Sequence, residues 1–572
     1  LAPGNIVFDN NSKVYTLSGN GAIEGNGSVT LKGKMAVNIK NTNRYTGGTY
    51  IDGGYARPTT LANKDGLAYG ALGGADNTIT ISNNGKLYVN TAMTSSHPIV
   101  LGENGGQIET YNGAKLIVNG GISKAYKASN RDLYKLGNGT LQLNCTADFD
   151  KLYINAGTVY DFQDGHFNGK TIVLNGSKVV LQASNSIYSG NSDNVNIEVP
   201  KGKSGIWYPD GRCDYTGKLT GEGTIDIYAT WIRCPFNGDW SKFAGTINAK
   251  RGNKNAYEPV FDFNNTYGIP LATLNVDSRF TKDYAFCTNG KSFAIGALTG
   301  NGYISNGGNI GSGANTLTIG GKNTDFTFNG SINGSYVVKN GTGTWTITSE
   351  NVLANAKSLK ILDGFVKLNK ATATTSMTSP TILYVQGSGE LCGVGYSLGV
   401  NLLKGGVLRP GTNKPASQTS NTGVINIQKN LIANDGSSIY VNLFKADSLY
   451  TKPTGSKALG WAYLKVGGNA TLNGTIYVTY NENGWTPAEG DYVRVLDCAG
   501  TISGTPTFDL QALPDGLGWD TSKFLTEGVV YVTNATGIRE IGFDAGSFQA
   551  DVYTLNGFRM TSLQTSMATL QS

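Results

Sequence analysis

Apolar and polar residues alternate with a period of two in short runs along the chain. A Gly-x-Gly turn opens many of these runs, as in the segment Gly-Glu-Gly-Thr-Ile-Asp-Ile at 221–227. Such alternation predicts short β-strands that bury one of their two faces. Copies of this turn-and-strand unit lie at residues 25–31, 137–143, 221–227 and 341–347, with a looser copy at 300–304.

Strands this short cannot each bury a face alone, so successive copies are expected to stack on one another. Each copy begins again with the same turn, which favours parallel coils of about 20–25 residues over hairpins. The fold class we predict is all-β, a right-handed parallel β-helix (solenoid). Val, Ile and Leu ladders would fill its interior, and Asn at the turns would bond to the next coil. A series of β-sandwiches is the alternative fold.

Composition supports many short strands joined by many turns. Of 572 residues, 79 are Gly, while 39% are hydrophobic and only 15% are charged. Low charge with ample apolar content argues against disorder. The formal net charge of +6 comes from scattered residues, so we expect no nucleic-acid partner. No stretch approaches the ~20 apolar residues of a membrane helix, so we expect no transmembrane segment.

Aromatic residues are concentrated at 204–245, in a chain whose other coils contain little tryptophan. Flat aromatic rings stack against sugar faces or bury into a protein partner. If the chain binds a ligand, this region is the first candidate. The predicted ligand-binding residues are Trp207, Tyr208, Trp231 and Trp240. The alternative is that these aromatic rings only form a local core.

The six cysteines are widely spaced and include no Cys-x-x-Cys pair, so we predict no metal site. Most are expected to be small buried hydrophobic residues. Cys213 and Cys234 lie about one coil apart, and stacked coils sit ~4.8 Å from each other. A disulfide between these two is therefore predicted. Nothing in the sequence calls for a cofactor.

Catalytic constellations are sparse, and we predict no catalytic residue. Only two histidines occur, His97 and His166, and both are interpreted as solvated turn residues rather than bases. The segment WIRCP at 231–235 echoes a pectate-lyase motif but lacks its following arginine. Paired carboxylates on neighbouring coils could still support hydrolysis. A polysaccharide lyase or glycoside hydrolase on a β-helix is therefore the enzymatic alternative.

Several segments resemble the autotransporter-associated β-strand repeat of bacterial passenger domains. The segment YTGGTYIDGG at 45–54 is similar to the core of that repeat, and LGGADNTITI follows at 72–81. Later, GGVLRPG at 405–411 resembles the element that closes such arrays, and 466–475 and 513–522 look like terminal coils. The resemblance covers most of residues 1–533 in patches, and it implies a fold more than a function.

The C-terminal stretch resembles the start of the sorting domain of Bacteroidota type IX secretion. The segments TGIREI at 536–541 and DVYTLNG at 551–557 carry this likeness. It implies export by the secretion machinery to the outer surface of a Gram-negative bacterium, or release from it. The chain begins at Leu1 and stops at Ser572, so we expect a processed or cloned segment with an incomplete sorting domain. An ordinary flexible tail is the alternative.

Together these features predict three regions and a binding role. Residues 1–415 would form the main parallel β-helix, 416–533 the terminal coils and cap, and 534–572 a partial sorting-domain-like tail. The expected function is that of a secreted or cell-surface, adhesin-like protein that contacts glycans or another cell surface. The rivals are the carbohydrate-active enzyme and a structural stalk that carries a missing domain.

Overall fold

Strands make up nearly all of the regular structure. The computed structural model describes residues 1–161, 167–183, 192–209, 214–229, 234–252, 261–283, 285–307, 315–349, 351–369, 381–411, 423–443, 462–480, 482, 485–535, 550–553 and 559–563. Within these ranges the only helix is the single turn Phe524–Glu527. The all-β prediction is confirmed.

Most strands pair in parallel with a strand one turn of chain further on. Ile6 lies beside Val29 and Ile99 beside Ile122, which is 23 residues later in both cases. This spacing falls within the predicted coil length, and the predicted parallel stacking is confirmed. The arrangement is that of a solenoid, with strands piled into long sheets. It is not a series of sandwiches, whose neighbouring strands would run antiparallel.

Four long sheets contain these parallel strands, and we name them stacks A to D. Stack A consists of Ile6–Phe8, Val29–Leu31, Thr49–Asp52, Ile79–Ser82, Ile99–Leu101 and Ile122–Lys124. Stack B consists of Tyr15–Leu17, Ala36–Ile39, Tyr55–Pro58, Gly85–Val89, Gly106–Thr110, Leu133–Leu136, Lys151–Ile154, Thr171–Leu174, Asn196–Val199 and Leu219–Gly221.

Stack C has the most strands, and these extend from residue 93 to residue 510. It consists of Met93–Ser95, Lys115–Val118, Thr140–Leu143, Thr158–Asp161, Val179–Ala183, Ser204–Tyr208, Thr224–Ala229, Thr246–Arg251, Ile269–Val276, Phe293–Gly300, Thr316–Ile319, Phe326–Thr327, Tyr336–Lys339, Thr344–Ile347, Ser358–Asn369, Ile382–Ser397, Gly399–Leu402, Val407–Pro410, Gly423–Ile427, Leu431–Ala433, Ser438–Leu443, Ala462–Val466, Ala470–Leu472, Thr475–Tyr480, Leu496–Cys498, Ile502–Ser503 and Thr507–Leu510.

Stack D is formed by strands from the middle of the chain. Several small sheets complete the described structure. Stack D consists of Ser192–Asp193, Asp214–Tyr215, Cys234–Phe236, Phe261–Phe263, Phe286–Cys287, Tyr303–Ser305 and Ser331–Asn333. The small sheets are the parallel pair Glu24–Gly25 with Arg44–Tyr45, and the antiparallel sets Tyr69–Gly70 with Gly73–Gly74, Tyr492–Arg494 with Val529–Asn534 and Leu517–Asp520, and Ala550–Tyr553 with Arg559–Leu563.

The core is a set of apolar ladders that run along the stacks. Alternate residues of each strand point inward, and each packs on its counterpart in the next turn. One ladder of stack B joins strands over five successive turns, and none of its side chains is more than 2% exposed: Leu133, Leu152, Ile172, Ile197 and Leu219. Burial of this kind stabilises the fold by roughly 25 cal/mol per Å² of apolar surface.

Asparagine side chains connect neighbouring turns at the corners, as the sequence predicted. The Asn104 side-chain amide donates to Oδ1 of Asn83 over 2.9 Å. The same amide-to-amide bond recurs in later turns, between Asn175 and Asn155, Asn264 and Asn237, and Asn434 and Asn401. Each such bond satisfies a polar side chain and fixes the register of two turns.

Two lysines occupy inward positions in these apolar ladders. Lys135 lies between Ile108 and Ile154 in stack B, and Lys339 lies between Ile319 and Ile361 in stack C. Both lysine side chains are fully buried. Lysine is almost never fully buried without a partner, so both must be hydrogen-bonded inside the solenoid.

Candidate functional site

The aromatic region predicted from sequence lies mostly inside the solenoid. Trp207 is 4% exposed and Trp240 is 2% exposed. An indole ring that is buried to this extent offers no face to a ligand. Trp231 lies outside the described residues. Of the four predicted ligand-binding residues, only Tyr208 is described with part of its side chain open to solvent.

The buried rings form a continuous aromatic ladder. The ring centres of Trp207 and Tyr215 lie 5.0 Å apart, and those of Phe236 and Phe261 lie 4.5 Å apart. The ladder continues to Phe286, whose ring stacks on that of Phe261. These aromatic pairs fill the interior and add about 0.5–1.5 kcal/mol each beyond their burial. The local-core alternative therefore describes most of the ladder, and the rings lie within the solenoid.

Tyr208 belongs to a patch on the outer surface of stack C, which we call the tyrosine face. It comprises Tyr208, Asp226, Tyr228, Asn248 and Lys250. The rings of Tyr208 and Tyr228 stack with their centres 4.6 Å apart and their planes 21° from parallel. The next strand places Lys250 opposite Tyr228, with its ammonium 5.5 Å from the ring centre.

Polar contacts hold the tyrosine face in one arrangement. Lys250 forms a 2.5 Å ion pair with Asp226, and the amide of Asn248 donates to the same carboxylate over 2.6 Å. Burial raises the pKa of Tyr208, and the neighbouring Tyr228 adds to this shift. Burial acts to lower the pKa of Lys250, but the hydrogen bond to Asp226 and the negative charge of Asp226, with a smaller contribution from Tyr228, together raise that pKa overall. The tyrosine is therefore a neutral hydroxyl and the lysine a cation at neutral pH.

A groove lies beside the hairpin formed by Tyr69–Gly70 and Gly73–Gly74. The groove has a volume of about 740 Å³, and its lining includes Tyr45, Lys64 and Asp76. Lys64 and Asp76 form an ion pair of 2.5 Å across it. Both side chains of this pair are exposed, so the pair is weak and gives the groove no selective chemistry.

The predicted disulfide falls partly outside the described residues. Cys213 is not described, and for Cys234 the structure gives only its place in the strand Cys234–Phe236. In the neighbouring pair, Tyr215 lies beside Phe236, a spacing of 21 residues that also separates the two cysteines. The disulfide remains a prediction. Three other cysteines, Cys145, Cys287 and Cys392, are buried, as expected for small hydrophobic residues.

His97 is not the solvated turn residue that the sequence suggested. Its side chain is fully buried. Nδ1 lies 2.8 Å from the carbonyl of Asn77, and Nε2 accepts a hydrogen bond from the backbone N–H of Ala62 over 3.2 Å. Burial lowers the pKa of His97, so the ring is neutral and ties the loop at 59–77 to the core. His166 lies outside the described residues.

Two carboxylates, those of Asp148 and Asp150, share an ion cluster around Lys124. Its ammonium lies 3.3 Å from Asp148 and 3.2 Å from Asp150, while Lys170 pairs with Asp148 and Arg131 with Asp150. Burial acts to raise both carboxyl pKa values, but the bonds from the cations lower them overall. A glycosidase needs one carboxylic acid that stays protonated. This cluster holds both groups ionised, which favours a structural role.

Comparison with known proteins adds no family. No family model matches the chain, and no curated protein is significantly similar to it. The resemblances to the autotransporter repeat and to the type IX sorting domain therefore remain predictions. Among the described residues, no cluster of His, Cys, Asp and Glu could hold a metal ion. In that same part of the chain, no helix has the length and apolar character needed to cross a membrane.

Proposed function

We propose that this chain is a secreted or cell-surface, adhesin-like binding protein of a Gram-negative bacterium that contacts glycans or another cell surface. Its scaffold would be a right-handed parallel β-helix. Connections between parallel strands of one sheet are right-handed in about 98% of cases, which supports this hand. The likeness of residues 536–557 to a type IX sorting domain supports export.

The observation that carries the proposal is the tyrosine face. Two stacked tyrosines project from adjacent strands of a rigid sheet, beside a carboxylate, an amide and an ammonium that are already positioned. Tyrosine contributes an apolar ring and a polar hydroxyl to a surface at small entropic cost. Side chains held in place before binding lose little freedom when a sugar docks.

A glycan array probed with the intact chain tests the proposal. We expect binding to one class of glycan, and Tyr208→Ala or Tyr228→Ala to weaken it by about tenfold, as for an aromatic hot spot. Tyr440→Ala is the matched control, because Tyr440 also stacks on a tyrosine, Tyr477, with ring centres 4.3 Å apart.

Two results would overturn the proposal. One is an array and a panel of intact cells to which the chain does not bind at all. The other is binding that the Tyr208 and Tyr228 variants leave unchanged, or that Tyr440→Ala weakens equally. Circular dichroism of each variant must retain the β signal of the parent chain, so that a loss of binding reports on the surface and not on folding.

A further inference from the structure

An open groove lies on the outer surface of stack C, further along the chain than the tyrosine face. We call it the basic groove and define it by Tyr336, Lys357, Lys360, Ile382 and Tyr384. Its volume is about 580 Å³. The five residues come from three successive turns, since Tyr336 pairs with Ser358 and Lys360 pairs with Tyr384. Neighbouring turns lie ~4.8 Å apart, so the groove runs along the stack.

The two ammonium groups of the basic groove are not neutralised by the residues that the structure describes. Lys357 and Lys360 are both exposed, and neither forms an ion pair with a carboxylate of the described chain. The Lys357 ammonium instead lies 5.2 Å from the ring centre of Tyr336. This differs from the tyrosine face, where Lys250 is paired with Asp226. Within the described part of the chain, the positive charge of the basic groove therefore has no carboxylate partner.

The same groove exposes apolar surface beside those cations. Tyr336 is 43% exposed and Ile382 is 41% exposed, while Tyr384, which also lines the groove, is half-buried. Exposed apolar side chains that lie next to each other on a sheet surface are typical of a site where a ligand binds and covers them. The groove thus combines flat apolar walls with two cations, a pattern that suits a ligand with carbon faces and regularly spaced anions.

We infer that the basic groove binds an acidic polysaccharide, a chain of sugars that bear carboxylate or sulfate groups. Sugar rings would lie against Tyr336 and Tyr384, and two anionic groups would pair with Lys357 and Lys360. Nucleic acid fits less well, because its backbone charge calls for a longer track of basic residues. This inference rests on the proposed function and names the ligand class, but it places that ligand at a different surface.

Three soluble polysaccharides serve as probes for the intact chain. Polygalacturonate carries carboxylates, dextran sulfate carries sulfates, and dextran is the neutral control. We expect the chain to bind at least one of the two anionic polymers and not dextran, by titration calorimetry at low ionic strength. The double variant Lys357→Gln with Lys360→Gln should weaken that binding by about tenfold, the combined effect of two exposed ion pairs. Rising salt should weaken the parent more than the double variant.

Three further variants separate the groove from general charge and from the tyrosine face. Tyr336→Ala should also weaken binding of the anionic polymer. Lys465→Gln removes an exposed lysine from another strand of stack C and should leave binding unchanged. Tyr208→Ala should also leave binding of the anionic polymer unchanged. The inference about the basic groove and the proposed function of the tyrosine face can therefore fail independently of each other.

Several outcomes would overturn the inference. The first is no binding of either anionic polymer. The second is equal weakening by Lys465→Gln and by the double variant. The third is that single-stranded DNA binds as tightly as the anionic polysaccharides and competes with them. The groove would then be a general surface for polyanions.

Discussion

The ammonium of Lys135 donates a hydrogen bond of 3.1 Å to the carbonyl of Ala156, a residue of the next turn. It also donates to the carbonyls of Leu136 and Gly137, over 2.8 and 2.6 Å. Three donors therefore meet three backbone acceptors, which explains how a lysine can lie in an apolar ladder. We call this arrangement the lysine clamp.

The lysine clamp occurs a second time with nearly the same geometry. Lys339 donates to the backbone carbonyls of Asn340 and Gly341 over 2.8 and 2.7 Å. It also donates to the backbone carbonyl of Asp363, in the next turn, over 3.1 Å. Both lysines begin the same sequence pattern, Lys-x-Gly-x-Gly-Thr, at 135–140 and 339–344. The clamp is thus a local device of the repeat that joins one turn to the next.

Replacing a clamp lysine should destabilise the two turns that it joins. Lys135→Met fills much of the same space but removes the side-chain donor from these carbonyls. At pH 8, above the lowered pKa of about 7, the neutral amine has two N–H donors to lose, so we expect a local loss of about 1–3 kcal/mol. Hydrogen exchange of the amides at 133–158 should speed up, and the apparent Tm should fall. Lys115→Met removes an exposed lysine from stack C and should change neither. An equal effect of both substitutions would contradict the clamp.

The clamp should also give a dependence of stability on pH. Burial lowers the pKa of Lys135 from 10.5 to about 7 in the folded chain. Between these two values the unfolded chain binds a proton that the folded chain has released, so folded stability rises with pH across this window and levels off below it. The apparent Tm of the parent, measured relative to that of Lys135→Met, should therefore rise between pH 7 and pH 9.5. A difference that stays constant or shrinks would show that the carbonyls hold the ammonium charged.

A glycine in the turn beside the clamp should tolerate no side chain. Gly157 has φ +70°, and a Cβ there would lie 2.4 Å from the carbonyl oxygen of Gly139 and 2.5 Å from that of Gly137. Gly202 has a similar φ of +75° but open space around it. Gly202→Ala should cost about 1–2 kcal/mol from backbone strain alone. Gly157→Ala should cost clearly more, and thermal unfolding of the two variants compares them. An equal loss of stability in the two variants would mean that the turn at Gly157 can move to accept a Cβ, which would contradict this prediction.

The predicted disulfide can be tested by counting thiols. With Cys213 and Cys234 joined, alkylation of the denatured, unreduced chain should label four of the six cysteines, and reduction should expose the other two. In the folded chain Cys287 should react more slowly than the partly exposed Cys498, because burial raises the pKa of the Cys287 thiol to about 12 and thiolate is the reactive form. Six labels before reduction would exclude the disulfide.

Sequence periodicity predicted the stacking but not which side of an ambiguous strand is buried. In Ser204–Tyr208 the apolar residues Ile206, Trp207 and Tyr208 are consecutive, so alternation alone does not select the inner set. The register decides it, since Trp207 pairs with the buried Ile227 of the next strand. That register depends on the neighbouring turn, which a single segment does not encode.

Two other features depend on residues distant in sequence. The basic groove needs three turns spread over residues 336–384, and no single motif signals it. The buried lysines contradict the apolar pattern, so only the repeated Lys-x-Gly-x-Gly-Thr pattern could have indicated them. His97 was misjudged because its two partners, Ala62 and Asn77, lie on a loop that precedes it in the chain.

Each described turn of the parallel stacks pairs with the turn before it and the turn after it, so the length of the solenoid can change by whole turns. Gaining or losing one complete turn between residues 251 and 335 would change the separation of the tyrosine face and the basic groove by ~4.8 Å along the axis while sparing the pairing elsewhere. Reach could thus be adjusted by duplication or deletion of turns, independently of what each surface recognises.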